Sequence, residues 1–233
     1  MATVLEQTET LAPRMELHNG DRMPRQEFHR LYEKMPDDIK AELIGGIVYM
    51  ASPLKRQHAT SHPVLGTVFV VYQSRTPGVE AGDNATVLLG EESEPQPDLY
   101  LRILPEFGGQ SRTEDDYVSG APELIAEIAH SSRAIDLHAK MDDYARSGVL
   151  EYIVVCLQEG EVRWFDLKSG SELFARADGV FQSRVFPGLW VDKAALLSKD
   201  SSRLIEILEQ GLSTTEHTEF ARRLAEQKAA RAV

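Results

Sequence analysis

The chain has 233 residues, a length that suits one well-covered domain with short terminal extensions. Hydrophobic residues make up 42% of the sequence and charged residues 27%, which is near the average for folded soluble proteins and excludes a disordered or collagen-like chain. A formal net charge of −12 argues against a basic surface that binds nucleic acid indiscriminately. It leaves room for a local basic groove and for clustered carboxylates that bind metal.

Apolar runs and cysteine usage bear on where the protein works. The longest apolar run, at 64–72, is far shorter than the roughly 20 residues that cross a bilayer, so no membrane span is expected. The N-terminal segment lacks the basic start and apolar core of a secretory signal. Cys156 is the only cysteine, which excludes a disulfide framework and predicts a buried thiol in an apolar strand. The expected location is the cytoplasm.

The first third of the chain predicts a loose arm, two helices and a hairpin. Residues 1–20 show no stable periodicity and predict the arm, while apolar spacing over 25–34 predicts a short helix. Two apolar runs within 42–51 are broken by a Gly-Gly pair, which indicates a hairpin. Residues 56–75 predict a second helix, with Pro63 interpreted as part of its first turn.

The remainder of the chain predicts a mixed sheet with helices. Strands are expected at 79–89, 98–103, 124–129 and 151–157. A helix predicted at 133–147 separates the last two strands, and such a crossover implies that they pair in parallel within a covered sheet. Further elements are a meander with strands at 162–167, 172–177 and 180–186, short helices at 191–197 and 203–210, and a terminal helix at 216–230.

Two carboxylates and a lysine predict chemistry on this sheet. Asp98 begins one strand, and Glu127 lies inside an apolar strand, where an ionised group is costly unless it is paired or bound to metal. Acidic oxygens on neighbouring strands suit Mg²⁺, which can activate an attacking water and neutralise a scissile phosphate. Lys140, about two turns beyond Arg133 on the following helix, can supply a cation near that water. The set outlines a site that cleaves phosphodiesters.

An ordered series of residues carries a resemblance to a known family. In chain order the series is Glu42-Leu-Ile-Gly-Gly46, Gln57-His58, Gln96-Pro97-Asp98, Gly120-Ala-Pro-Glu-Leu-Ile-Ala-Glu127, Ser132-Arg133, Asp136, Lys140, Tyr144, Gly148-Val149 and Glu151-Tyr152. Over residues 24–197 the chain resembles the Uma-type family of putative restriction endonucleases, which belongs to the PD-(D/E)XK nuclease superfamily.

The resemblance implies a fold, an activity and a set of site residues. The fold would be α/β, with a restriction-endonuclease-like mixed sheet flanked by helices, an added antiparallel meander and C-terminal helices. The activity would be Mg²⁺-dependent or Mn²⁺-dependent cleavage of DNA, with Asp98 and Glu127 as the metal-binding acids and Glu42 as an additional acid. The superfamily's lysine usually follows the second acid by two residues, where this chain has Ala129. The Uma-type pattern places it on the next helix, and Lys140 matches that position.

The predicted domain organisation is an arm at 1–20, the nuclease-like domain at 21–200 and a C-terminal helical extension at 201–233. His58 and Gln96 are candidate contacts to phosphate or substrate. A homodimer is compatible with the function, because duplex cleavage needs two active sites or two visits.

Plainer interpretations stand beside the functional ones. Glu127 and Lys140 could form a buried structural ion pair without metal, and Asp98 could be an ordinary strand-entry residue. Asp136 is interpreted as stabilising the first turn of its helix through the helix dipole. Tyr144 and Tyr152 are interpreted as packing residues.

Two other functions compete with the nuclease hypothesis. The first is a non-catalytic module that keeps the nuclease fold and binds a partner or nucleic acid. The acidic net charge favours it, as does Ala129-His130-Ser131, which stands where the Uma-type family usually shows a Leu-Ser-Pro-like turn. The second is a metal-dependent hydrolase of a small phosphoester, which would need a closed pocket.

Overall fold

The computed structural model describes residues 16–36, 38–51, 55–130 and 132–231. Its strands are β1 (Ala41–Ile44), β2 (Ile47–Met50), β3 (Val79–Asp83), β4 (Val87–Leu88), β5 (Leu99–Ile103), β6 (Arg112–Glu114), β7 (Tyr117–Ser119), β8 (Leu124–Ala129), β9 (Glu151–Cys156), β10 (Glu161–Asp166), β11 (Ser171–Leu173), β12 (Val180–Gln182) and β13 (Trp190–Asp192). Its α-helices are α1 (Arg25–Tyr32), α2 (Arg56–Arg75), α3 (Met141–Ser147), α4 (Lys193–Ser198), α5 (Ser201–Leu212) and α6 (Thr215–Arg231). A 3₁₀ turn at Pro105–Phe107 and a π-helical segment at Ile135–Lys140 complete the elements.

A six-stranded mixed sheet forms the centre of the fold. Its strand order is β11-β10-β9-β8-β5-β3. Strands β8 and β9 pair in parallel, as the crossover helix between them predicts, and the other neighbours pair antiparallel. Every residue of β8 and β9 is buried, which explains their nearly continuous apolar sequences. A charged residue in either strand therefore needs a specific partner.

Helices cover both faces of this sheet. The main core contains Leu65, Phe69 and Tyr72 of α2. A second core, which contains Tyr144 of α3 and Tyr152 of β9, packs on the other side. A third cluster joins α1 to the β1–β2 hairpin and contains Phe28, Leu31, Leu43 and Val48. The cluster fixes the hairpin against α1, and β1 carries Glu42.

Several expected elements match the structure closely, and others need correction. Helix α2 and strand β8 have the predicted bounds, but Pro63 is the eighth residue of α2 and not part of its first turn. The strand expected at 79–89 was wrong as one element, because Asn84 has a φ of 51° and separates β3 from β4. Strand β4 instead joins β7 and β6 in a small sheet that the sequence did not predict.

The C-terminal part differs in its pairing. Strand β12 pairs with β13 instead of continuing the predicted meander after β11, so only β10 and β11 follow the meander pattern. Helices α5 and α6 contribute Leu204, Leu208, Phe220 and Leu224 to the main core. The division at residue 200 stays a prediction. Most of the predicted N-terminal arm lies outside the described residues, and Leu17 is buried against the hairpin cluster.

Candidate functional site

Asp98 lies at the entrance to β5, where its side chain bridges two neighbouring elements. Its Oδ2 atom accepts a 2.7 Å hydrogen bond from the backbone N–H of Ile128 in β8. Both carboxylate oxygens lie 3.1 Å from Nε2 of His58 in the first turn of α2. Burial alone would raise the pKa of Asp98, but the hydrogen bond and charge of His58 outweigh it, so the pKa lies below its ordinary value. Asp98 is therefore poised to carry a negative charge.

Glu127 lies in the middle of β8 and has partners on both carboxylate oxygens. Its Oε1 atom accepts hydrogen bonds from Lys140 Nζ at 3.0 Å and from the hydroxyl of Tyr144 at 2.9 Å. Its Oε2 atom lies 3.5 Å from the backbone nitrogen of Asp98. Burial raises the pKa of Glu127 well above its ordinary value, and the charge of Lys140 opposes that rise. The sequence-predicted acids at 98 and 127 are thus neighbours across β5 and β8.

Lys140 joins three acidic side chains. Its Nζ atom lies 3.0 Å from Glu127, 2.9 Å from Glu42 Oε2 and 4.0 Å from Asp136. Burial lowers the pKa of Lys140, but these carboxylates more than offset it and hold the pKa well above the usual range. The lysine is therefore a buried, permanently charged group among acids.

The backbone around Lys140 has an unusual helical geometry, which determines where the lysine side chain points. Ile135–Lys140 is wound as a π-helix, a rare geometry that often occurs at functional sites. Asp136 and Lys140 lie four residues apart and are both buried. The segment thus turns an acid and a base of one helix toward the β8 carboxylate.

His58 and Gln96, the two residues predicted to contact phosphate or substrate, both hydrogen-bond to other residues of the protein. His58 contacts Asp98, as described above. The backbone N–H of Gln96 donates to Glu42 Oε1 at 2.7 Å, and its side-chain amide donates to the hydroxyl of Tyr32 at 2.9 Å and to Thr86 Oγ1 at 3.1 Å. Gln96 therefore positions Glu42, and a direct contact of either residue to phosphate remains a prediction.

Three residues of this site have roles that the sequence did not predict. Tyr144 was interpreted as packing, yet its hydroxyl binds Glu127. Asp136 accepts a 2.6 Å hydrogen bond from Ser132 and lies near Lys140, while the hydroxyl of Tyr152 binds the Asp136 carbonyl. A signal was present, since Asp136 and Tyr144 lie four residues before and after Lys140 and therefore share its helix face.

The donor chemistry of this site fits a hard divalent cation. Glu42, Asp98 and Glu127 offer carboxylate oxygens, the ligands that Mg²⁺ prefers. As placed, the described residues contain no group of three or more His, Cys, Asp or Glu side chains arranged to hold a metal ion. Mg²⁺ usually takes only one or two carboxylates and keeps several waters, so a site of two carboxylates fits its usual coordination, and a metal at Asp98 and Glu127 stays a prediction. Lys140 supplies the positive charge between Glu127 and Glu42.

The link between His58 and Asp98 predicts a pH-dependent stability. The hydrogen bond from His58 to Asp98 raises the pKa of His58, and burial opposes it. A raised folded-state pKa gives stability that is present below the unfolded value of about 6.5 and is lost as the pH rises through the folded value. With metal chelated, His58→Gln should therefore reduce the free energy of unfolding more at about pH 5.5 than at about pH 8.5.

Urea denaturation at both pH values measures this difference. His138→Gln, an exposed position within the π-helical segment, controls for the loss of an imidazole. An equal destabilisation by His58→Gln at the two pH values would mean that the pair with Asp98 does not depend on a charged imidazole.

Comparisons with known proteins give two findings. The family model Uma2, described as "Putative restriction endonuclease", matches residues 25–196. The crystal structure of a putative nuclease belonging to DUF820 from Anabaena variabilis is similar, with a TM-score of 0.56 and 16% identity over 72% of this chain and 96% of that chain. At this identity the likeness concerns the fold, and it confirms the restriction-endonuclease-like α/β class. A comparison with curated proteins gave no match.

The described residues also bear on the predicted absence of a membrane span. None of their helices is both long enough and apolar enough to cross a bilayer.

Proposed function

Because the chain belongs to the Uma2 family, whose description is putative restriction endonuclease, we propose that it is a metal-dependent endonuclease that hydrolyses DNA phosphodiester bonds. Asp98, Glu127 and Lys140 are the proposed catalytic residues, and Glu42 is an additional metal-binding acid. The observation that carries the proposal is the meeting of the Lys140, Glu127 and Glu42 side chains beside the backbone of Asp98. Lys140 Nζ lies within 3.0 Å of both Glu127 and Glu42, and Glu127 Oε2 reaches within 3.5 Å of the Asp98 backbone.

In this proposal the chain's own residues divide the work. Asp98 and Glu127 would hold the cation, which would supply neutralising charge for the phosphate and make a bound water more acidic. Lys140 remains protonated and orients the attacking water or offsets the negative charge that develops on the phosphate. His58 and Tyr144 are positioning residues, because each fixes one of the two acids by a hydrogen bond.

The burial of Lys140 supports a role beyond solubility. A lysine on an ordinary helix surface extends into water, whereas the side chain of Lys140 is 7% exposed and faces acids from β1, β8 and its own helix. Removing such a charge from water is costly. A buried lysine is therefore expected where its charge serves a structural or chemical purpose. The competing hypothesis, a non-catalytic module, would keep the same network as a structural ion cluster.

Metal binding separates these two functions. Titration of the full chain with Mn²⁺ in a calorimeter should show one site, and Asp98→Asn should weaken its affinity by about tenfold or more, because a charged ligand is lost. Asp116→Asn, at an exposed turn with a φ of 68° that asparagine tolerates, is the matched control and should bind normally. Full affinity in Asp98→Asn would remove that residue from the metal site.

A cleavage assay tests the activity itself. Supercoiled plasmid, linear duplex and single-stranded DNA are each incubated with Mg²⁺ or Mn²⁺, with chelator as the blank. The proposal predicts metal-dependent cleavage of at least one substrate. If Mn²⁺ binds at Asp98 and no DNA is cut, the chain is a binding module with a nuclease fold.

A further inference from the structure

A cavity lies near the carboxylate site, where Glu94 pairs with the β1 residue Leu43. It has a volume of about 410 Å³, and six of its lining residues are polar or aromatic groups that could contact a ligand. They are His29, Tyr32, Glu33, Thr86, Glu94 and Tyr117. Helix α1 provides the first two, and Thr86 and Tyr117 come from the region of the small sheet. The cavity combines aromatic rings with a buried acid.

Glu94 lines this cavity and has a buried carboxylate oxygen without a hydrogen-bond partner among the described residues. Its side chain is 1% exposed, and Oε1 lies 2.8 Å from Nδ1 of His29. The Oε2 atom is buried and has no hydrogen-bond partner among the described residues; the Arg25 guanidinium lies 3.9 Å away. Burial raises the pKa of the Glu94 carboxyl, and His29 opposes that rise. A buried acceptor without a donor is costly, so a ligand that donates a hydrogen bond would be stabilised here.

The cavity also offers hydroxyl donors beside this acceptor. The hydroxyls of Tyr32 and Thr86 both accept from the Gln96 amide, so each keeps a proton to donate. The rings of His29 and Tyr117 meet edge to face with centroids 5.1 Å apart and form an aromatic wall. Rings of this kind stack on bases.

One residue connects this cavity to the proposed active site. The side-chain amide of Gln96 donates to two residues that line the cavity, Tyr32 and Thr86, and its backbone N–H donates to Glu42. The backbones of Glu94 and Leu43 also pair, which places Glu94 beside the strand residue that follows Glu42. The base of a nucleotide near the scissile phosphate would therefore lie close to this cavity.

We infer that this cavity binds an unpaired nucleobase with an exocyclic amino group, which is adenine, cytosine or guanine, from the DNA strand that the protein acts on. In each of these bases the amino group lies beside an accepting ring nitrogen, which matches a carboxylate acceptor next to a hydroxyl donor. Thymine has no amino group, and its N–H is flanked by two carbonyls that a carboxylate repels. The inference rests on the proposed action on DNA and adds a base preference to it.

Binding of short oligonucleotides tests the inference. Fluorescence anisotropy of the full chain is measured with labelled oligo-dC, oligo-dA and oligo-dT of equal length, with metal chelated so that no cleavage occurs. Oligo-dC and oligo-dA should bind about tenfold more tightly than oligo-dT. Glu94→Gln should bring the ratio close to one, while Glu27→Gln, at an exposed position on α1, should leave it unchanged.

A second variant keeps the test decisive if Glu94→Gln does not fold. Thr86→Val keeps the side-chain shape, removes one hydroxyl donor and should lower the preference for oligo-dC several-fold. Equal binding of the three oligonucleotides by the unmodified protein would overturn the inference. A preference that survives both Glu94→Gln and Thr86→Val would also overturn it.

These outcomes are distinct from those of the nuclease proposal. Metal-dependent cleavage without any base preference in binding would support the nuclease and reject the base pocket. Base-selective binding that Glu94→Gln abolishes, with no cleavage of any DNA, would support the pocket and reject the nuclease.

Discussion

Lys140→Met is expected to slow DNA cleavage by about 10²–10³ while leaving the chain folded at mildly acidic pH. The lysine is the only cation within hydrogen-bond distance of Glu127 among the described residues. Loss of one preorganised electrostatic contact of this kind costs about 10²–10³ in turnover. Initial rates on the best DNA substrate, measured with saturating Mg²⁺, give the effect. Lys168→Ala, in the exposed turn between β10 and β11, is the matched control and should retain full activity.

The same variant should also be less stable, with a defined pH dependence. Removing one partner of a buried ion pair costs about 3–5 kcal/mol, because Glu127 is left charged in an apolar strand. Burial already raises the pKa of Glu127, and without the lysine the carboxyl should titrate at still higher pH. A raised folded-state pKa means that the lost stability returns as the pH falls and the carboxyl is protonated. Denaturation of Lys140→Met should thus show a smaller deficit at about pH 5 than at about pH 8.

Two results would contradict this interpretation of Lys140. Full cleavage activity in a folded Lys140→Met protein would remove the lysine from the chemistry. Unchanged stability at neutral pH would mean that Glu127 is not ionised beside it.

Glu151→Ala is expected to destabilise the fold strongly although Glu151 lies outside the proposed active site. The Glu151 carboxylate is fully buried and accepts hydrogen bonds from Trp164 Nε1 at 3.0 Å and Ser183 Oγ at 2.7 Å. The backbone N–H groups of Arg184 and Val185 donate to it as well, at 2.6 Å and 3.1 Å. Alanine would leave four donors unsatisfied and a cavity beside the parallel strands, which should cost about 3–5 kcal/mol.

Chemical denaturation with circular dichroism measures this loss. Glu161→Ala, an exposed acid on the adjacent strand β10, should change the free energy of unfolding by less than about 0.5 kcal/mol. A Glu151→Ala protein as stable as the Glu161→Ala control would show that the loop at 183–185 does not depend on this carboxylate.

The centre of the fold could be predicted because its sequence patterns are strong. Strands β8 and β9 are nearly all apolar and a helix separates them, so their parallel pairing follows from the handedness and reach of a crossover. The small sheet of β4, β6 and β7 could not be predicted in this way. Its strands have two or three residues each, too few to show a period, and β4 pairs with β7 about thirty residues later.

The candidate site was predictable in part for a related reason. Glu127 was conspicuous as an acid inside an apolar strand, and Lys140 followed from its place on the next helix. The side-chain roles of Tyr144 and Gln96 were not predictable, because a packing residue and a hydrogen-bonding residue have the same sequence signal until the tertiary structure brings their partners near. The π-helical winding also escapes a pattern analysis that assumes 3.6 residues per turn.

A crystal structure of the protein soaked with Mn²⁺ tests the central claim most directly. The anomalous scattering of manganese shows where the ion binds, whichever residues are assumed to be its ligands. We predict one strong peak within about 2.2 Å of a carboxylate oxygen of Asp98 and of Glu127, with water completing the coordination. Strong peaks only elsewhere, with Lys140 still bound to Glu127 and Glu42, would contradict a metal site at these acids and leave the cluster as a structural ion network.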